Sequence, residues 1–137
     1  MRVMIVDDEP TIREFFTQMA RNRGCDTAHS VDSAEAALST VLRQSYDLIT
    51  LDILMPGLSG LEIIAVLRNM NPHAVIAVIS GFIPEQIPEE VESCIDVLLP
   101  KPISVETFSE LIDIASRISQ MLEQLQTLGV SAEISVR

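Results

Sequence analysis

Hydrophobic residues follow two patterns along this chain, short apolar runs and longer stretches in which they recur every three or four positions. The apolar runs predict β-strands near residues 2–6, 25–29, 47–51, 74–79 and 96–99. The stretches between them predict amphipathic helices, because that spacing places apolar side chains on one helix face. Strands that alternate with helices are typical of α/β proteins with a parallel sheet.

This alternation favours a flavodoxin-like fold, a doubly wound five-stranded parallel sheet in the order 2-1-3-4-5 with helices on both faces. The inward face of helix one is expected to hold Ile12, Phe15, Phe16 and Met19. Asp32 and Glu35 form a capping-box pattern that predicts the start of helix two. Helix three is expected near residues 61–70, whereas Pro84 and Pro88 leave room only for a short fourth helix.

The last helix is predicted to be long, from Ser104 to a stop at Gly129. Its apolar residues alternate by three and four, as in a heptad repeat: Phe108, Leu111, Ala115, Ile118, Leu122 and Leu125. The apolar residues from Phe108 to Ala115 must cover the sheet, and residues past Ile118 are expected to overhang it. Ordinary packing, a homodimer through this helix and a linker to an output domain all remain open.

We therefore divide the chain into a main domain of residues 1–122 and an extension of residues 123–137. The extension comprises the end of the last helix and a tail. Beyond Gly129 the tail alternates apolar and polar residues, as a strand would. It is predicted to be either a frayed end or the start of a further domain.

Composition narrows the class of protein. With 20 acidic and nine basic residues among 137, the net charge is -11. Such a charge repels nucleic-acid phosphates, so direct binding to DNA or RNA is not expected. No apolar run is long enough to span a membrane, and Cys25 and Cys94 lack the spacing of a zinc site. We expect a cytoplasmic protein whose thiols are reduced and buried.

Acidic residues are densest just before the fifth predicted strand. They are Glu85, Glu89, Glu90, Glu92 and Asp96. This stretch is either the solvated face of a helix or an acidic docking surface for a basic partner.

Residues suited to phosphate or metal chemistry follow four of the predicted strands. Asp7 and Asp8 follow the first, Asp52 the third, Ser80 the fourth, and Lys101, the only lysine, the fifth. These side chains should converge, because the carboxyl ends of parallel strands share one edge of the sheet. Two carboxylates about 4 Å apart repel by about 4 kcal/mol at an effective dielectric constant of about 20. The edge therefore requires a cation, and Mg²⁺ with its preference for oxygen ligands fits best.

A carboxylate beside such a metal can act as a nucleophile toward a phosphoryl group, because that reaction mainly needs positioning and charge neutralisation. Lys101 would supply a second positive charge, and the Ser80 hydroxyl can bond a phosphoryl oxygen. Each residue alone has an ordinary explanation, such as a helix cap, a turn or a solvated side chain. Those explanations do not account for all of them standing at strand ends in this order.

This set of residues resembles the receiver domain of bacterial two-component response regulators. The likeness spans residues 1 to about 122 and rests on Asp7-Asp8, Asp52 in D-I-L-M-P-G-L-S-G, Ser80-Gly81 and Lys101-Pro102. It implies that a partner histidine kinase or a small phosphodonor phosphorylates Asp52. It also implies that Asp8, Asp52 and the backbone carbonyl of Leu54 bind Mg²⁺ directly, while Asp7 acts through water. Lys101 would contact the phosphoryl group, and the bond from Lys101 to Pro102 would be cis.

The resemblance further implies that Ser80 moves toward the new phosphate while an aromatic residue on strand five swings inward. Here the chain differs from the family, because Leu98 stands three residues before Lys101. The output change is therefore expected to run through the loop from Ser80 to Pro88. Leu54 and Phe82 flank the expected phosphate, where they either hinder an attacking water or merely fill the loop.

The predicted function is a signalling receiver that catalyses only its own phosphorylation and dephosphorylation and acts on a downstream output protein or domain. One alternative is a receiver-like module used only for dimerisation, against which the intact set of acids argues. Another is a phosphatase of the haloacid dehalogenase type, which needs a D-x-D pair where this chain has adjacent Asp7 and Asp8. His29 and His73 are expected to be ordinary surface residues.

Overall fold

Five parallel strands form one sheet in the computed structural model, which describes residues 1–129. The strands are β1 (Arg2–Val6), β2 (Thr27–Val31), β3 (Leu48–Leu51), β4 (Val75–Ser80) and β5 (Val97–Pro100). The helices are α1 (Pro10–Asn22), α2 (Ala34–Val41), α3 (Gly60–Met70), α4 (Glu89–Glu92) and α5 (Val105–Leu128). The strand order is β2-β1-β3-β4-β5, so the predicted flavodoxin-like topology is confirmed.

Alternate residues of each central strand face two separate apolar layers. Met4 and Val6 of β1 pack with the buried faces of α2 and α3, whereas Val3 and Ile5 pack with α1 and α5. On the second side the rings of Phe16 and Phe108 stack with centroids 4.1 Å apart, which joins α1 to α5. The central strands are buried on both sides, which explains their continuous apolar runs.

Two sequence predictions about the helices near the start of the chain are wrong. Phe15, expected on the inward face of α1, is 41% exposed, because the buried face centres on Phe16 and Ala20. Asp32 is predicted to cap α2, but the cap is Ser33, whose side chain accepts a hydrogen bond from the Ala36 N–H. Adjacent polar residues compete for such a position, and only the chain geometry decides between them.

The interruption of helix four is confirmed. Only Glu89–Glu92 are helical, and Pro88 is the residue that precedes them. The segment from Gly81 to Pro88 contains no helix or strand and is mostly exposed. The sheet therefore leads from Ser80 directly into a long surface loop.

Helix α5 is long, as predicted, and it ends where Gly129 follows it. Its first half lies against the sheet, with Phe108, Leu111, Ile112 and Ala115 buried. Further along the helix the apolar side chains become exposed, and Leu125 is 62% accessible. Despite its length, α5 is not apolar enough to cross a bilayer, nor is any other helix within residues 1–129. The strand predicted after Gly129 lies outside the described residues.

Candidate functional site

The carboxyl edge of the sheet brings together the residues that the sequence predicted. Asp7 follows β1, Asp52 follows β3, Ser80 ends β4 and Lys101 follows β5. Sheet hydrogen bonding continues one residue past the strands, since the Asp52 N–H donates to the Val6 carbonyl at 2.9 Å and the Lys101 N–H to the Ser80 carbonyl at 2.9 Å. The backbone on both sides of the site is therefore held by the sheet.

Lys101 lies at the centre of the acidic cluster. Its Nζ donates to Asp7 Oδ2 at 2.7 Å, to Asp52 Oδ2 at 3.0 Å and to Glu9 Oε1 at 3.3 Å. Burial by itself lowers the pKa of Lys101, but the hydrogen bonds and charges of Asp7 and Asp52 outweigh it and raise the pKa above its usual value. The ammonium group therefore stays charged at neutral pH.

Asp52 is held through both of its carboxylate oxygens, although its side chain is almost fully buried. Lys101 bonds Oδ2, while Oδ1 accepts from the Ser80 hydroxyl at 2.8 Å and from the Leu54 N–H at 2.9 Å. Ser80 Oγ in turn accepts from the Phe82 N–H at 3.4 Å. A movement of the Ser80 hydroxyl is therefore coupled to the loop that begins at Gly81.

Asp7 is the other deeply buried acid of the cluster. Its Oδ1 accepts from the Glu9 N–H at 2.9 Å and its Oδ2 from Lys101. Burial raises the pKa of Asp7, although Lys101 and the Glu9 N–H counter that rise. Keeping this carboxylate ionised therefore depends on nearby positive charge.

Asp7, Asp8 and Asp52 could hold a metal ion together. Each offers one carboxylate oxygen, and these oxygens all lie within 4.8 Å of one another. When ionised, the three acids carry three negative charges, which the single ammonium of Lys101 does not balance. Oxygen donors with excess negative charge suit a hard divalent cation, and the residues therefore fit Mg²⁺.

Sequence reasoning missed two contributors to this site. Glu9 adds a third carboxylate around Lys101, and its place directly after Asp7-Asp8 was the available signal. Gly60, one residue before the predicted start of helix three, is the first residue of α3. A Cβ at Gly60 would lie 2.8 Å from the Asp52 carbonyl oxygen, so only glycine lets α3 approach the end of β3 this closely.

The surroundings of the site contain both predicted flanking residues. Leu54 is 60% exposed and Phe82 is 57% exposed, so neither is held in the core.

Leu98 pairs with Val78 in the sheet and packs, half buried, against the apolar layer beneath α2 and α3. The Lys101-Pro102 bond is cis, as predicted.

The two histidines lie elsewhere. His29 bonds the Tyr46 hydroxyl through Nδ1 at 2.6 Å, at the far edge of the sheet. His73 is exposed in the turn before β4.

Comparison with known proteins finds similarity to response regulators. A family model described as "Response regulator receiver domain" matches residues 3–113. The DNA-binding response regulator MtrA of Mycolicibacterium smegmatis is 39% identical over 67 residues, which cover 49% of this chain and 29% of that protein. The chemotaxis protein CheY-3 of Vibrio cholerae is 25% identical over 116 residues, which cover 82% of this chain and 89% of that protein.

The fold is also similar to that of solved proteins. The response regulator TrrA of Thermotoga maritima, solved in complex with Mg²⁺–BeF, superposes with a TM-score of 0.71 at 28% identity. The match covers 83% of this chain and 97% of TrrA. By contrast, the chain spans only 17% to 33% of the length of MtrA and of three further curated relatives.

Proposed function

Because the chain belongs to the response regulator receiver domain family, we propose that it accepts a phosphoryl group on Asp52 from a partner histidine kinase. The observation that carries the proposal is the position of Asp52, buried and bonded to both Lys101 and Ser80 at the carboxyl edge of the sheet. We assign this receiver to residues 1–122. Residues 123–137 are proposed as an extension that connects to an output.

In the proposed reaction, an Asp52 carboxylate oxygen attacks the phosphorus of the donor. A new oxygen–phosphorus bond forms, the bond from phosphorus to the donor nitrogen or oxygen breaks, and its electron pair leaves with the donor. Lys101 balances charge on the transferred group, because its ammonium already lies beside Asp52 Oδ2. The hydroxyl of Ser80 is near enough to Asp52 to move onto a phosphoryl oxygen.

Mg²⁺ would neutralise the charge that spreads over the phosphoryl oxygens during transfer. We propose Asp8, Asp52 and the backbone carbonyl of Leu54 as its direct ligands, and Asp7 as a ligand through water. The cluster of three acids supports this assignment. The relative TrrA, which was solved with Mg²⁺–BeF, supports it as well.

The signal is proposed to leave the site through the loop from Ser80 to Pro88. The bond between the Phe82 N–H and Ser80 Oγ supports this route, since it would change if the hydroxyl moved. Leu98 has no ring to swing into the site, so strand five supplies no aromatic switch. The acidic residues of α4 then follow directly as a surface for a basic partner.

We place this function in the cytoplasm and assign it no catalysis beyond phosphorylation and dephosphorylation of Asp52. Contacts with a downstream protein or domain, rather than with nucleic acid, would carry the output. The net charge of -11 supports that choice. A module used only for dimerisation would have no need of the buried acids around Lys101, whose burial is costly.

The test is incubation with acetyl phosphate and Mg²⁺, followed by intact-mass measurement. Wild type should gain the mass of one phosphoryl group, and Asp52→Asn should gain none. Asp32→Asn is a matched control, because Asp32 is an exposed aspartate outside the site, and it should react like the wild type. No adduct on wild type, or the same adduct on Asp52→Asn, would overturn the proposal.

A further inference from the structure

From Ile114 to its end, α5 carries an apolar strip on its surface. The strip comprises Ile114, Ile118, Met121, Leu125 and Leu128, which are 38%, 38%, 62%, 62% and 84% exposed. Their spacing alternates by four and three residues, which is the spacing of the a and d positions of a coiled coil. An exposed strip with this repeat is suited to packing against another helix.

This strip differs from the heptad repeat predicted from the sequence. Phe108, Leu111 and Ala115 of that repeat are buried against the protein's own sheet and helix α1, so they are not available to a partner. The exposed strip shares only Ile118 and Leu125 with the predicted repeat, and it adds Ile114, Met121 and Leu128. Only the docking of α5 on the sheet distinguishes the two repeats.

The strip continues into a groove at the amino-terminal end of the sheet. This groove has a volume of about 660 Å³, and its lining includes Val75 and Val97 from the strands and Ile114, Ile118 and Leu122 from α5. Arg68, His73 and Asp96 also line the groove, and exposed apolar side chains lead from its α5 wall to the end of the helix. Contiguous exposed apolar surface of this kind marks sites of association.

Charge favours another copy of the same chain as the occupant of this surface. Residues 114–129 contain one basic residue, Arg117, and one acidic residue, Glu123, in a chain with a net charge of -11. Two copies would repel one another over most of their surfaces, but the helix end is neutral. A neutral apolar strip is where such copies can approach.

We propose that α5 pairs with α5 of a second copy as an antiparallel two-stranded coiled coil. Ile118 then lies beside Met121 of the second copy, Ile114 beside its Leu125, and the groove beside its Leu128. The overhanging end of each helix covers the groove of the other domain. The dimer therefore has two identical helix–groove contacts, which are related by one twofold axis.

The antiparallel direction follows from area and charge. Two heptads of helix are marginal by themselves, and a specific interface buries at least about 1,000 Å² in total. A parallel pair would leave both grooves open and would bring the domains of two chains, each chain with a net charge of -11, side by side. An antiparallel pair adds the groove contacts and keeps the domains at opposite ends.

The first test is sedimentation equilibrium of the full chain across a concentration series. Wild type should form a dimer, and Leu125→Glu should raise its dissociation constant at least about tenfold. Gln120→Glu is the matched control, because it adds the same charge at an exposed position of the same helix outside the strip. Equal weakening by both variants, or a wild type that stays monomeric, would overturn the proposal.

The second test determines the direction of the helices, in a Cys25→Ser/Cys94→Ser background. An antiparallel pair predicts a disulfide between a copy with Ile114→Cys and a copy with Leu125→Cys. A disulfide between two Leu125→Cys copies would instead indicate a parallel pair and would contradict the exchange of helix ends. Replacing Ile134 and Val136 with aspartate tests the chain's own tail as the occupant, and a dimer that appears only in this variant would also overturn the proposal.

Both tests use unphosphorylated protein and do not depend on the proposed chemistry of Asp52. A failure of phosphoryl transfer would therefore leave the dimer intact, and a monomeric protein would leave the phosphorylation result unchanged.

Discussion

The single ammonium group of Lys101 lies beside two nearly buried carboxylates, those of Asp7 and Asp52. It pairs with Asp7 and Asp52 at distances of 2.7 and 3.0 Å while its own side chain is only 14% exposed. Charges in such a position depend on one another, because removing one partner leaves the others buried without compensation. The residue that is proposed to balance the phosphoryl group therefore also stabilises the unphosphorylated site.

Lys101→Met should consequently destabilise the protein as well as slow phosphorylation. We expect the free energy of unfolding in urea without Mg²⁺ to fall by about 3 kcal/mol, the usual effect of breaking a buried ion pair. Arg117→Met, which removes an exposed cation of α5, should change it by less than about 0.5 kcal/mol. Equal stability of Lys101→Met and wild type would show that the acids do not depend on this ammonium.

Leu54 and Phe82 are the exposed apolar residues beside the site, and they could limit how long a phosphoryl group survives. Hydrolysis needs a water molecule aligned with the bond that breaks, and an apolar side chain provides no hydrogen bond to hold it. We expect Leu54→Asn to lose its phosphoryl group several-fold faster than wild type, measured by intact mass after the donor is removed.

The control for this prediction is Leu42→Asn, because Leu42 is a 74% exposed leucine on the C-cap of α2. It should lose the phosphoryl group at the wild-type rate. If Leu54→Asn also decays at that rate, Leu54 does not hinder the attacking water.

Among the helices, α3 is the one whose position bears most directly on Asp52, the proposed phosphoryl acceptor. Its first residue, Gly60, lies against the backbone of Asp52 and Ile53, with no room for a side chain. Ser59 caps the helix by accepting a hydrogen bond from the Leu61 N–H. The helix start and the strand end that presents Asp52 are therefore one packed unit.

Gly60→Ala should push this unit apart. The new Cβ would stand 2.8 Å from the Asp52 carbonyl oxygen and 2.9 Å from Ile53 Cα, so the backbone must shift. We expect a loss of about 1–3 kcal/mol in the free energy of unfolding and slower phosphorylation by acetyl phosphate. Gly81→Ala, where a Cβ meets no atom within 4 Å, should retain wild-type stability. A Gly60→Ala protein as stable as Gly81→Ala would contradict this close packing.

For the molecule as a whole, the acids that crowd one edge of the sheet repel one another and lower the stability of the fold. A bound cation relieves this repulsion. The chain carries a net charge of -11, and three of its acids converge on the site. A ligand that binds only the folded state stabilises it in proportion to the logarithm of its concentration over the dissociation constant. The folded receiver should therefore be more stable with Mg²⁺ than without it.

Thermal unfolding with and without Mg²⁺ tests this expectation at constant ionic strength. At a concentration of 100 times the dissociation constant, the ion should add about 2.7 kcal/mol to the free energy of unfolding. Asp8→Asn should lose most of that gain, whereas Asp32→Asn should keep it. An Mg²⁺ effect that NaCl reproduces, or one that Asp8→Asn retains, would exclude Asp8 from the proposed metal site.

The local pattern of apolar and polar residues was sufficient to predict the order of strands and helices along the chain and the residues at the strand ends. Buried parallel strands need continuous apolar runs, and a change to polar residues marks their ends, which is why the sequence alone places Asp7, Asp52, Ser80 and Lys101 there. Pro84 and Pro88 likewise showed that helix four is short, because proline cannot sit in a helix interior. These features depend on residues that are neighbours in the chain.

The features that the sequence did not predict depend on contacts between residues that are far apart in the chain. The choice of Ser33 over Asp32 as a cap, the exposure of Phe15 and the approach of Gly60 to Asp52 depend on how helices settle on the sheet. The same docking buries one apolar repeat of α5 and exposes another. A sequence shows which side chains can be buried, but burial is shared among segments far apart, and only their packing determines which side chains stay on the surface.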